Sequence, residues 1–266
     1  MNVLQVIGSG VLQRLAYAGQ LTIQFWSGLL AVPRVLPIAG SRGRWGAAVR
    51  QMAAIGVDAL PMIAMVSMSA GFIFAMQSGA ELRRFGALNL VIDIVSIGFT
   101  RELGPLLTAI VVSSRSGSAF SAEIGTMVVT NEIDVLRTMG LSPIEYVLAP
   151  KYVAALITVP CLTIMSDAFG ILAGGAFMML STKMTFLMYL RAVANSILLR
   201  DVFSGLLKSV AFATIVVHVG CLEGFKTHGG PDAVGRSTTS AVVKSTLLVI
   251  LADVVFTTIF YITKLE

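Results

Sequence analysis

Five apolar runs, each long enough to cross a lipid bilayer, dominate the sequence. They cover residues 52–77, 88–114, 152–180, 202–222 and 239–262. The bilayer core is about 30 Å thick and needs roughly 20 helical residues per crossing. Charged residues make up 12% of the chain, about half the share of a soluble domain, so lipid must serve as part of its solvent. The runs predict an all-α protein with five transmembrane helices over residues 52–266.

Residues 1–51 form a separate N-terminal region that does not read as a cleaved signal, because no Lys or Arg precedes its apolar stretch. Read at 100° per residue, this region has an apolar side and a polar side. The apolar side holds Leu4, Ile7, Val11, Ala18, Phe25 and Leu29, and the polar side holds Ser9, Gln13, Gln20, Gln24 and Ser27. This pattern predicts an amphipathic helix in the membrane interface, followed by a basic linker.

The most polar segment, residues 115–151, lies between the second and third runs and is the only loop large enough for a docking element. With the N-terminus inside, ten Lys and Arg residues lie in inner segments against six in outer ones. Cytoplasmic segments carry the excess of positive charge. The N-terminus and the 115–151 loop are therefore predicted to be cytoplasmic, and the C-terminus lies outside.

Five ionisable residues fall at membrane depth: Arg101, Glu102, Asp167, Lys208 and Asp253. Each costs roughly 2.5–3.5 kcal/mol at a helix centre, so each must face the protein interior or a wet cavity. Lys208 and Asp253 lie at similar depths below the outer ends of their runs, and we expect them to approach each other. The charges can line a transport path, or they can only hold the helices together.

Other classes of function find little support. Residues 230–237 have the glycine spacing of a phosphate loop, but Arg236 replaces the required lysine. The chain has two histidines and no complete catalytic constellation, which disfavours metal chemistry and an enzyme. The Lys and Arg residues are scattered, which disfavours nucleic-acid binding.

Three stretches resemble the MlaE/YrbE family of ABC-transporter permeases, the membrane subunits of Mce-type lipid transport systems. They are RELGP (101–105), SRSGSAFSAEIGTMVVTNEIDVLRTMGLSPIEYVLAPK (114–151) and GRSTTSAVVKS (235–245). The resemblance extends over nearly the whole chain. Asn131 is a departure, because relatives usually have Glu at this position.

The resemblance implies a homodimer of permeases on two copies of a separate ATPase, in the bacterial inner membrane. ATP and Mg²⁺ would bind the ATPase, with no cofactor on this chain. An Mce-domain lipid-binding protein and a small cytoplasmic accessory subunit are further implied partners. The implied ATPase-coupling segment contains Glu123, Asn131, Glu132, Asp134, Arg137 and Gly140. Gly140 reads as the end of a short coupling helix.

Lipid passage needs an apolar groove with a few polar groups at head-group depth. Arg101, Glu102, Lys208 and Asp253 can supply the polar part, since the family associates the RELGP segment with its central cavity. Phe74, Leu82 and Phe85 are candidates for the apolar wall. Arg236 matches a basic position of the family and can meet head groups or the partner at the inner surface.

Two other hypotheses come from different classes. An ion- or proton-coupled secondary transporter is suggested by the buried charges alone, but it predicts internal repeats, and the halves show no convincing one. A membrane-embedded enzyme lacks a nucleophile and base at workable spacing. The direction of transport and the identity of the lipid stay open.

Overall fold

The computed structural model describes residues 3–35, 42–182 and 184–263, and the secondary structure of this part is helical. Five segments of it are long and apolar enough to cross a membrane, which confirms the predicted all-α membrane protein with five spans. They are Trp45–Arg84, Leu90–Val129, Ile144–Ser181, Leu199–Phe225 and Pro231–Thr263, here called spans 1 to 5. Spans 1, 3, 4 and 5 extend beyond their apolar runs at both ends, whereas span 2 begins two residues later than predicted and extends only at its far end.

Eleven α-helices and three π-helical turns build the described part of the chain. The α-helices are α1 (Val3–Val35), α2 (Arg42–Gly56), α3 (Leu60–Arg84), α4 (Leu90–Gly98), α5 (Gly104–Val112), α6 (Ser118–Val129), α7 (Glu132–Thr138), α8 (Ala149–Ser181), α9 (Phe186–Ser196), α10 (Leu199–Phe225) and α11 (Pro231–Thr263). The π turns are π1 (Phe99–Leu103), π2 (Ser113–Gly117) and π3 (Ile144–Leu148).

Span 1 is interrupted between α2 and α3. Pro61 lies in the first turn of α3, where its missing N–H costs nothing. Arg115 of π2 donates a hydrogen bond to the carbonyl oxygen of Ala54 at 2.8 Å, and it forms an ion pair with Asp58 at 3.2 Å. The interruption is therefore tied to the second span by one side chain.

The polar segment 115–151 is more helical than a loop. Span 2 continues through π2 and α6 to Val129, and span 3 already begins at Ile144. Between them lie α7 and two short turns. Span 2 therefore projects about four turns and span 3 about two turns farther than the apolar runs indicated, because helical residues that leave the lipid can be polar.

Glycines bring α3 and α8 into backbone contact. A Cβ on Gly71 would lie 2.0 Å from the carbonyl oxygen of Gly170, and Gly174 packs near Ala75. Gly170 and Gly174 thus allow the two helices to pack closely. Gly117 is also tightly packed, because a Cβ on Gly220 of α10 would lie 2.8 Å from its carbonyl oxygen.

Helix α1 is present, but the side it buries differs from the predicted one. Gln24, assigned to the polar side, is buried and donates its amide N–H to the carbonyl oxygen of His218 at 3.3 Å. Leu29, assigned to the apolar side, is exposed, as is Trp26. Part of the apolar side is thus left for lipid, although Phe25 of that side lies against His218 with ring centroids 5.5 Å apart. The side chains of residues 3–11, 13 and 14, including Leu4, Ile7 and Val11, lie outside the described residues.

Helix α9 lies between spans 3 and 4 and was not predicted. It packs on α4 and α8, and the buried Tyr189 hydroxyl donates to the carbonyl oxygen of Ile171 at 2.7 Å. Phe186, Leu187 and Met188 point away from the protein and are exposed.

The substitution Gly71→Ala should destabilise the fold, because its methyl group would overlap the backbone of Gly170. We expect the free energy of unfolding to fall by about 1–3 kcal/mol, as is typical when a packed core receives an extra methyl group. The measurement is thermal unfolding in detergent. Gly46→Ala in α2 is the matched control, since a Cβ there meets nothing within 4 Å. Equal unfolding temperatures for the two variants would contradict the close approach.

Candidate functional site

A fully buried ammonium group, that of Lys208, is the centre of the site. Its Nζ donates to Glu102 Oε2 at 2.5 Å, to Thr257 Oγ1 at 2.8 Å and to Asp253 Oδ1 at 3.0 Å. These contacts use all three N–H donors of a lysine. The predicted approach of Lys208 and Asp253 is confirmed. We call Glu102, Lys208, Asp253 and Thr257 the charge cluster.

The π1 turn and a glycine bring span 2 and span 4 close enough to form the charge cluster. A Cβ on Gly205 would lie 2.1 Å from the carbonyl oxygen of Thr100 in π1, so only glycine allows this approach. Lys208 follows Gly205 by three residues and therefore lies on the same face of α10. Thr257 of span 5 closes the cluster, since its hydroxyl lies 3.0 Å from Glu102 Oε1.

Arg101 forms a second ion pair beside the charge cluster. Its Nε and one terminal nitrogen lie 2.7 and 2.6 Å from Asp201 Oδ1. Asp201 Oδ2 accepts the backbone N–H of Leu198 at 2.8 Å, so the same buried carboxylate caps α10. Sequence reasoning missed Asp201 because it lies just before the apolar run of span 4. Its spacing of seven residues from Lys208, two turns of one helix face, was the available signal.

Asp167 stays outside the charge cluster. Its Oδ1 is buried against Gly104 and has no hydrogen-bond partner among the described residues. Asp167 thus fits the helix-packing role better than a role beside Lys208.

The proposed apolar wall does not form one surface. Phe74 and Leu82 pack against the core that contains Val91 and Val95 of α4. Phe85, in contrast, is 80% exposed at the end of α3. Sequence position near the end of the first apolar run does not distinguish core residues from exposed ones.

A second polar group gathers where α10 ends and α11 begins. Buried Glu223 accepts hydrogen bonds from Lys244 at 2.9 Å and from Ser240 at 2.6 Å. The ring of Tyr17 from α1 lies 4.3 Å from Lys226 Nζ and 4.8 Å from Lys244 Nζ. Burial, and next the charge of Glu223, raise the pKa of Tyr17, whereas burial lowers the pKa of Lys226.

Arg236 lies one turn from this group and is exposed. It lines an open groove of about 600 Å³ along α11, together with Asp232, Thr239 and Lys244. An exposed guanidinium beside hydroxyl groups can bind an anionic head group or a protein carboxylate.

The segment predicted for coupling contains the short helix α7. Gly140 has φ +74° two residues beyond its end, which confirms Gly140 as the helix terminator. Asn131 precedes α7 with φ +61°, a conformation that Asn adopts more readily than Glu. Asp134 and Arg137 pair with each other on the exposed surface of α7 at 3.0 Å.

The remaining coupling candidates differ in exposure. Glu132 is exposed and accepts a hydrogen bond from the Thr130 hydroxyl at 3.0 Å. Glu123 Oε2 lies 2.6 Å from Nζ of the buried Lys151, and half of the Glu123 side chain is exposed. Among the described residues no group of three His, Cys, Asp or Glu side chains could hold a metal ion.

Comparison with known proteins gives matches over most of the chain. The family described as Permease MlaE matches residues 48–259. A probable ABC transporter permease of Rickettsia typhi is 36% identical over 213 residues, which cover 80% of this chain and 82% of the relative. A probable ABC transporter permease of Synechocystis is 36% identical over 208 residues, 77% of this chain and 78% of the relative.

A plant relative extends farther along the chain. The chloroplast protein named trigalactosyldiacylglycerol 1 of Arabidopsis thaliana is 32% identical over 240 residues. These residues cover 89% of this chain and 69% of the relative.

Removing the ammonium by Lys208→Met should destabilise the protein, because two carboxylates would then repel each other without a cation. We expect the free energy of unfolding to fall by about 3–5 kcal/mol, as for other buried ion pairs that lose one partner. Thermal unfolding in detergent measures it. The triple variant Lys208→Met/Glu102→Gln/Asp253→Asn should recover most of the stability.

Arg84→Met is the control for this series, since its ion pair with Glu81 is exposed and worth at most about 1 kcal/mol. A triple variant as unstable as Lys208→Met would show that electrostatic balance is not what the cluster provides.

Proposed function

The chain belongs to the MlaE family of ABC-transporter permeases, and from this we propose that it moves a phospholipid or similar lipid between its membrane and an Mce-domain partner, driven by a separate ATPase. The observation that carries the proposal is the charge cluster, which combines a fully buried ammonium with carboxylates still open to the surroundings. The Glu102 side chain is 37% exposed and that of Asp253 16%, against 0% for Lys208. Charges that only hold helices together have no need of this opening.

A lipid is the substrate class that suits this arrangement. Its head group needs polar contacts on a path through the membrane, and its tails need apolar surface. Span 5 offers both, since Asp253 and Thr257 lie on a helix whose other faces expose large apolar residues such as Leu247 and Val254. The name of the Arabidopsis relative refers to a diacylglycerol lipid, which supports this substrate class.

The driving ATPase is proposed to dock on α7 and its flanking turns. Glu132, Asp134 and Arg137 are exposed there together with the apolar Val135 and Met139, a mixture suited to a protein groove. ATP and Mg²⁺ would then bind the partner, and this chain would carry neither a cofactor nor catalysis. A small cytoplasmic accessory subunit remains a further expectation.

A second copy of the chain is proposed to complete the lipid path. Span 5 is the least buried of the five spans, since 11% of its most apolar 18-residue stretch is buried inside the protein. It therefore has a large surface free for a homodimer. The exposed carboxylates of the charge cluster would then face a cavity between two copies. Arg236 would lie at the inner end of this interface, near head groups or the partner chain.

The proposed setting is the bacterial inner membrane with a cytoplasmic N-terminus and a periplasmic C-terminus. Two observations support this orientation: the segments assigned to the inside carry more Lys and Arg residues than those assigned to the outside, and α7 lies on the same side as the N-terminus. An Mce-domain protein on the periplasmic side would deliver or receive the lipid.

Coupling is tested with Glu132→Lys in cells that also express the neighbouring ATPase gene. Charge reversal on α7 should reduce copurification of the ATPase and ATP-driven lipid transfer in proteoliposomes by about tenfold or more, as expected for a lost interface contact of about 1.4 kcal/mol. Glu81→Lys, an equal charge change at the outer end of α3, is the control.

Normal copurification and transfer by Glu132→Lys would reject α7 as the ATPase site. Transfer by the permease alone, driven by an ion gradient and independent of ATP, would favour the secondary-transporter hypothesis.

A further inference from the structure

The charge cluster is one positive charge short of balance. In the part of the chain that the structure describes, Lys208 is the only cation that contacts it, and the two carboxylates of Glu102 and Asp253 share that single ammonium. The neighbouring guanidinium of Arg101 does not supply the missing charge, because it is paired with Asp201. At neutral pH with both carboxylates ionised, the cluster carries a net charge of −1.

The unbalanced charge lies on the open side of the cluster. Lys208 is saturated, and both Glu102 oxygens have partners in Lys208 and Thr257. Asp253 Oδ1 accepts a hydrogen bond from Lys208, whereas its Oδ2 has no hydrogen bond within residues 3–35, 42–182 and 184–263. The carboxylates are partly exposed while the ammonium is completely covered. A ligand approaching from the open side therefore meets acceptors and negative charge before it meets a cation.

The depth of the cluster defines what such a ligand needs. Asp253 lies ten residues before Thr263, the last described residue of span 5, which corresponds to about 15 Å along the helix. A cationic head group brought to this depth loses water that must be replaced by a counter-charge and hydrogen-bond acceptors. An anionic head group would instead be repelled by the excess negative charge.

We propose that the charge cluster receives the primary ammonium group of a zwitterionic phospholipid, with Asp253 Oδ2 and Glu102 as its acceptors. This inference rests on the proposed lipid transport and names the head-group class it favours. A primary ammonium donates three hydrogen bonds, as Lys208 does, and restores neutrality. A quaternary ammonium has the charge but no N–H donor, so we expect it to bind the charge cluster less tightly.

The test measures head-group preference in proteoliposomes that contain the permease with its ATPase. The donor vesicles hold equal amounts of phosphatidylethanolamine, phosphatidylcholine and phosphatidylglycerol with matched acyl chains. Mass spectrometry quantifies how much of each lipid leaves these vesicles when ATP is added. We expect phosphatidylethanolamine to exceed phosphatidylglycerol by about tenfold, the lower end for one charge-assisted hydrogen bond. Phosphatidylcholine should fall between them.

The variants Asp253→Asn and Glu102→Gln should each bring this ratio close to one. Each keeps one carboxylate beside Lys208, and a ratio within one preparation does not depend on how much protein has folded. Glu81→Gln removes a carboxylate at the exposed outer end of α3 and should keep the wild-type ratio.

Equal transfer of the lipids by the wild type would overturn the inference while leaving lipid transport in place. A preference that survives in both cluster variants would also overturn it, because the selectivity would then arise elsewhere in the protein. Failure of every preparation to transfer any lipid with ATP would contradict the proposed function and, with it, this inference.

Discussion

An ammonium group without water inside a membrane must be neutralised by the protein, and this requirement organises spans 2, 4 and 5. Lys208 can reach Glu102 only because Gly205 lets α10 contact the backbone of π1. Asp253 and Thr257 then fix where span 5 must lie. The position of three helices is thus decided largely by four side chains and one glycine.

Much of this arrangement could be predicted from the sequence. Run length predicted the five spans, and equal depth predicted that Lys208 and Asp253 meet. The additional partner Asp201 was missed because hydropathy assigns it to the edge of a run, although it is buried in the structure. Helix α9 was missed for a related reason, since eleven residues are too few to register as a span.

Helix α1 shows why amphipathic patterns change their meaning in a membrane protein. In water the apolar side of a helix faces the protein, but near lipid that side has an equally good environment outside. Contact with the protein can then be made by polar and small residues. Gln24 and Gly28 do this against α10, and the amide of Gln24 reaches the backbone of His218.

The two π turns of span 2 have a consequence for how its sequence should be compared and engineered. A π turn accommodates about one residue more than an α turn, so it rotates all following side chains by about 100° around the helix axis. With π1 and π2 together, the accumulated rotation is about 200°. A helical wheel drawn through residues 90–129 is therefore misleading beyond Phe99. Deleting one residue from each turn would offset this rotation and leave α6 facing α10 and α11, whereas converting both turns to α-helix with every residue kept would turn α6 to present its opposite face.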